Sequence, residues 1–168
     1  PKDAAVLDAL EGWGREQSES GLLAEALEHR AASLPPEARA PVELELAATL
    51  ARVAGREVEA LRVWRSLLAR DPAQADAFDG LSTLLGVLGR HGERATLIAE
   101  RLVRESGERA DELRLDLAKT RWIDLQDPAG AVEILAELTA GKPVPAEADE
   151  TSEPSPAAIA VELLESIW

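Results

Sequence analysis

Apolar residues return every three to four positions along most of the chain, and nowhere do they alternate strictly with polar ones. Leu44, Ala47 and Ala51, then Ala60, Trp64 and Leu67, show the spacing in one stretch; Phe78, Leu81 and Leu85, then Ala95, Ala99 and Leu102, repeat it further on. That period puts one side of each segment against a core and the other in water, as in an amphipathic α-helix. It predicts about nine helices, over roughly 3–13, 21–33, 41–54, 57–70, 75–88, 93–105, 109–125, 128–140 and 156–168, and no strand.

Proline and glycine mark the ends of these segments. Asp127-Pro128 and Ser155-Pro156 each set a capping oxygen before a proline at the first helical position, where its missing N–H costs nothing. Gly55, Gly89 and Gly141 follow helix ends, where the chain commonly turns left-handed. Short glycine links at 54–56 and 89–92 join helices within a pair, and such links favour antiparallel neighbours. The segment 144–154, VPAEADETSEP, has no apolar period and reads as an acidic, proline-rich loop.

The spacing also recurs at longer range. Leu44-x-x-Ala47-Ala48-x-x-Ala51, with Gly55, Ala60, Trp64, Leu67 and Pro72, is followed 34 residues on by Phe78-x-x-Leu81-Ser82-x-x-Leu85, with Gly89, Ala95, Ala99 and Leu102. A further 37 residues bring Leu115-x-x-Ala118-Lys119-x-x-Trp122, with Ala131, Leu135, Leu138 and Pro143. In this order of large and small positions the chain resembles the tetratricopeptide repeat, with HEAT-type repeats as the structural rival. The resemblance implies an all-α solenoid of antiparallel helix pairs wound into a right-handed superhelix.

The expected organisation is one array over 1–168. A degenerate pair fills 1–40, repeats fill 41–72, 73–107 and 109–143, the acidic loop follows at 144–154, and 155–168 opens a further repeat. Lys119 departs from the family's small residue at that position, and the first pair fits the pattern poorly. One helix pair alone cannot bury its apolar faces, so each must stack on the next. Trp13, Trp64, Trp122 and Trp168 fall on apolar spacing and are expected to pack.

Composition narrows the function. Hydrophobic residues make up 46% but aromatics only 3%, a mix suited to closely packed helices and not to a β-sandwich. The net charge of −14, from 18 basic and 32 acidic residues, leaves little for the basic stripe that nucleic acid or an anionic membrane surface requires. A basic partner fits better. Without Cys there are no disulfides or thiolate metal sites, and no run of 18 apolar residues would insert into a membrane. The chain starts at Pro1 and has no Met, so it reads as a piece of something longer; its compartment stays open, with the cytoplasm as the working expectation. The excess of Arg over Lys and the absence of Asn fit a GC-rich bacterial source.

Catalytic chemistry has little footing. His29 and His91 have no nucleophile or orienting acid at a recognisable spacing, and no zinc-protease, phosphate-loop or calcium-loop motif occurs. The reading is therefore no enzyme, no cofactor and no metal; Glu147, Asp149, Glu150 and Glu153 serve solubility.

A binding face is better supported. An acid follows the first large position of each repeat, at Glu45, Asp79 and Asp116, with Glu162 by extension; a hydroxyl comes four residues later, at Thr49, Thr83, Thr120 and Ser166. That spacing stacks the two groups one turn apart on a single helical face. The resemblance implies that these positions line a concave groove holding an extended peptide. The expected groove residues are Glu45, Thr49, Arg52, Asp79, Thr83, Asp116, Thr120 and Ile123, with Leu46 and Leu117 nearby and a shallow space at Gly80 and Gly86. The expected function is a protein–protein interaction scaffold that takes a basic partner peptide in an acidic groove. The second reading is a structural spacer that associates with copies of itself through exposed repeat ends.

Overall fold

The structure, a computed structural model, describes residues 2–17, 19–140 and 156–167. Gly141, the 144–154 loop, Ser155 and Trp168 lie outside the described residues. The protein is all-α: among the described residues there are nine α-helices and no strand. They are α1 (Lys2–Glu16), α2 (Ser20–Ser33), α3 (Ala40–Leu50), α4 (Glu57–Arg70), α5 (Ala75–Val87), α6 (His91–Leu102), α7 (Gly107–Lys119), α8 (Pro128–Thr139) and α9 (Pro156–Ile167). None among the described residues is long and apolar enough to cross a membrane.

Local chemistry sets most of the ends. Asp127 Oδ1 accepts from Gly130 N at 3.0 Å, capping α8 with Pro128 in its first turn. Gly55 and Gly89 adopt φ of +85° and +67°, so the chain turns left-handed just past α3 and α5, where a Cβ would be strained. Two ends differ from the periodicity. The predicted helix over 41–54 stops as an α-helix at Leu50, because Arg52 N and Val53 N bond to Thr49 O and Leu50 O, tightening the chain to i→i−3 bonds. The predicted helix over 109–125 instead widens into a π turn at Thr120–Asp124, closed by Leu125 N to Thr120 O at 3.0 Å. A short 3₁₀ turn, Pro36–Ala38, precedes α3.

The chain divides into two compact units, Pro1–Leu88 and Gly89–Trp168. The division falls between α5 and α6, inside the repeat expected over 73–107, so its two helices belong to different units.

In the first unit each helix packs on the next from α1 to α5, and α3 also touches α5. Ala24, Ala47, Ala60 and Ala77 are wholly buried, and their lack of bulk lets helix axes approach. Leu27, Leu50, Leu61, Leu67 and Leu85 fill the wider gaps. Each such leucine contributes about 1.5–3 kcal/mol by leaving water. Ala48, the tight position by the family pattern, is exposed, and its neighbour Ala47 does the packing.

The contact between α4 and α5 is closest at Trp64. A Cβ on Gly80 would stand 2.5 Å from the indole Cε2, so the ring lies directly on the α5 backbone. The space expected at Gly80 is therefore not open; Trp64 occupies it. Trp13 differs from the packing expected of it. It is 53% exposed, because the backbone of α1 packs closely on α2 alone among the described residues.

In the second unit α6 packs on α7, α7 on α8 and α8 on α9, with α7 also touching α9. One cluster of its core comprises Leu115, Ala118, Leu135, Leu138 and Ala160, flanked by Ile134, Ile159, Leu163 and Leu164.

Gly80→Ala is expected to destabilise the protein by about 1–3 kcal/mol through overpacking against Trp64. Urea denaturation checks this, and Trp64→Leu in the same background is expected to recover part of the loss; additive effects would show that the ring and the glycine are not in contact.

Candidate partner-binding surface

In the first unit the expected face begins at Glu45 on α3. Arg15, from α1, donates its Nε and Nη2 to the two Glu45 carboxylate oxygens at 2.8 and 3.0 Å, a fork that satisfies both. The same Nη2 reaches Glu11 Oε2 at 3.2 Å, one turn back on α1. Glu11 is only 4% exposed, and Arg30 of α2 also donates to it while bonding Asp8. Two arginines thus hold a buried carboxylate and tie α1, α2 and α3 together. The hydrogen bond to Glu45 raises the pKa of Arg15 above its ordinary value, and those to Asp8 and then Glu11 do the same for Arg30. Thr49, expected beside Glu45 in the groove, is buried, and its Oγ1 donates to Glu45 O at 2.8 Å. Asp79 and Thr83 of α5 are exposed, one turn apart, and Arg52 is exposed beyond the end of α3.

The second unit repeats this theme with a different arginine. Arg94 of α6 donates Nη2 to both oxygens of Asp116 at 2.7 Å and Nη1 to Thr120 Oγ1 at 2.6 Å. Thr120 is 1% exposed. One guanidinium therefore pins α6 to α7 and satisfies a hydroxyl that water cannot reach. Ile123, in the π turn, is 64% exposed. At the next corner Arg121 Nη1 reaches the Asp127 carboxylate at 3.3 Å, over the buried Gly130. His91 opens α6 with Nδ1 3.3 Å from Asp124 Oδ2, while His29 is exposed on α2. On α9, Glu162 and Ser166 are exposed, and the serine hydroxyl donates to Leu163 O at 2.8 Å.

The eight expected groove residues therefore fall into two sets. Arg52, Asp79, Thr83 and Ile123 face solvent; Thr49 and Thr120 are interior, and Glu45 and Asp116 are engaged by arginines of a neighbouring helix. Leu46 and Leu117, expected nearby, are also buried. The inward threonines had a sequence signal. Thr120 continues the stripe of Leu113 and Leu117, and Thr49 lies between Leu46 and Leu50, so both sit on the buried side of their helices. The arginine partners had none, because each comes from another helix.

A feature that the sequence did not mark lies on a different side of α3. Glu28 and Ala31 of α2, Glu43 and Leu46 of α3, and Arg62, Val63 and Ser66 of α4 surround an open cleft of about 300 Å³. Arg56, at the start of α4, bonds both Glu28 and Glu59, and Arg70 at its end bonds Glu43. The bonds from Arg56 draw the Glu59 carboxyl below its ordinary pKa.

Among the described residues no three His, Asp or Glu side chains gather as a metal site would. Comparison with protein-family models, with curated proteins and with solved structures finds no match.

Arg94→Ala is expected to cost about 2 kcal/mol or more, since it strands the Thr120 hydroxyl and frees a carboxylate at once. Asp116→Asn should cost less, because its amide oxygen still accepts; equal and negligible losses in denaturation would contradict the clamp. The depressed Glu59 pKa makes its contribution to stability present above the ordinary carboxyl value of 4.5 and lost as pH falls through the lower folded value. Glu59→Gln is accordingly expected to destabilise at neutral pH, with the difference from the parent shrinking on acidification; a gap that widens in acid would contradict this.

Proposed function

We propose that this chain is a tetratricopeptide-type helical-repeat module that serves as a non-catalytic scaffold, binding a partner protein or peptide. The observation that carries the reading is the contact between second-neighbour helices, α3 with α5 and α7 with α9, the pattern of helix pairs stacked in phase. The seating of Trp64 on Gly80 supports it, since a large residue entering a small one on the next helix is how such pairs interlock. The net charge of −14 favours a basic partner and steers it at long range.

The residues assigned to contact are those that face solvent. In the first unit these are Arg52, Asp79 and Thr83; in the second, Ile123 offers an apolar contact. Glu45 and Asp116 act by positioning their helices through Arg15 and Arg94, and contribute to a partner only through the residual field of their pairs.

A second reading, a spacer that associates with its own copies, draws support from α1, where Val6 and Trp13 are 57% and 53% exposed at i and i+7 on one side. The two readings separate experimentally. A binding module stays monomeric across a sedimentation concentration series, whereas a spacer dimerises and Trp13→Ser reverses the dimerisation.

For the scaffold reading, Asp79→Lys with native helicity is expected to weaken capture of a lysine-rich peptide by about fivefold or more, in a salt-sensitive way. Unchanged affinity for every basic and acidic peptide that the parent binds would overturn it.

A further inference from the structure

We propose that the cleft between α2, α3 and α4 is a separate peptide-docking site, one that takes a bulky apolar side chain with a carboxylate beside it. Its wall is apolar where Ala31, Leu46 and Val63 meet, and polar at the mouth, where Glu28, Glu43, Arg62 and Ser66 stand. At about 300 Å³ it sits at the lower end of the range for ligand sites, room for one large side chain and its flanks. Glu43 points away from Glu45 on α3, since a two-residue step turns the helix by more than half a circle, and Leu46, about 100° round from Glu45, is buried. The cleft is therefore distinct from the acidic face and does not depend on it.

The charges around the mouth decide the ligand. Glu28 is bonded by Arg56, and Glu43 by Arg70. Arg56 also binds the Glu59 carboxylate, with Nη2 at 2.5 Å and Nε at 3.2 Å. Arg62 makes no hydrogen bond or ion pair with any described residue; Glu59, one turn earlier and already engaged, feels its charge only at longer range. Both carboxylates at the rim are thus committed, and the group left to recognise a ligand is a guanidinium. A guanidinium beside an apolar recess selects a carboxylate next to a leucine- or phenylalanine-sized side chain.

The test uses the full chain, ¹⁵N-labelled, titrated with three peptides acetylated and amidated so that only side chains carry charge. They alternate Leu with Glu, Leu with Lys, and Ser with Glu. The Leu–Glu peptide is expected to shift the amides of Ala31, Leu46 and Val63 saturably, and the other two to bind at least about tenfold more weakly. Arg62→Gln should weaken Leu–Glu binding about fivefold or more. Ser66→Glu, which sets a carboxylate one turn beyond Arg62 on the same helix, should compete in cis and weaken it at least as much. Both positions are exposed, and dichroism confirms that each variant folds. Asp79→Lys should leave this binding unchanged, so failure of the acidic face and failure of the cleft read out separately. Equal binding by Leu–Lys or Ser–Glu, no saturable shift, insensitivity to Arg62→Gln, or loss of binding on Asp79→Lys would each overturn the proposal.

Discussion

Every helix here is short, and none can stand without its neighbours. The nine α-helices among the described residues, of 11–15 residues each, lie at or below the length at which isolated helices become marginal in water, so tertiary contact supplies their stability. The apolar stripes are built from alanine and leucine, with few aromatics to widen them. Such a stripe makes good contact only when the axes come close. Close approach is therefore the governing constraint, met where Ala47, Ala60 and Gly80 in one unit, and Ala118, Ala131 and Ala160 in the other, present no bulk.

Close approach has an electrostatic consequence. A chain with 32 acids brings carboxylates near helix–helix seams wherever its helices meet, and a carboxylate in such a place must be paired or stay hydrated. The chain answers with arginine from another helix or its cap: Arg15 on Glu45, Arg30 on Glu11, Arg56 on Glu28, Arg70 on Glu43, Arg94 on Asp116. The planar guanidinium suits this task because it can grip two acceptors at once, as Arg94 does with Asp116 and Thr120. Net charge then overstates how much negative surface is available.

How much of this was legible follows from the same physics. Helix positions were readable because burial imposes a period of 3.6 on each element, and the caps at Asp127, Gly55 and Gly89 carry local signatures. The π turn at Thr120–Asp124 was not, since one wider turn shifts the period too little to register and leaves no compositional mark. The acids at Glu45 and Asp116 were found in sequence, but their arginine partners were not: repeat spacing says which side of a helix a residue occupies, not which arginine of another helix will reach it. Arg62 was missed for the converse reason: its place at the mouth of the cleft, with no ion pair to a described residue, shows only in three dimensions.

Native-state hydrogen exchange tests the stacking most directly. If the helices of the first unit are held by mutual contact, the amides of α3 and α4 at Leu50, Leu61, Trp64 and Leu67 should open with one shared free energy, while α1, whose backbone packs closely on α2 alone among the described residues, exchanges faster. Protection of α1 equal to that of α3, or α3 and α4 opening independently of each other, would contradict the account.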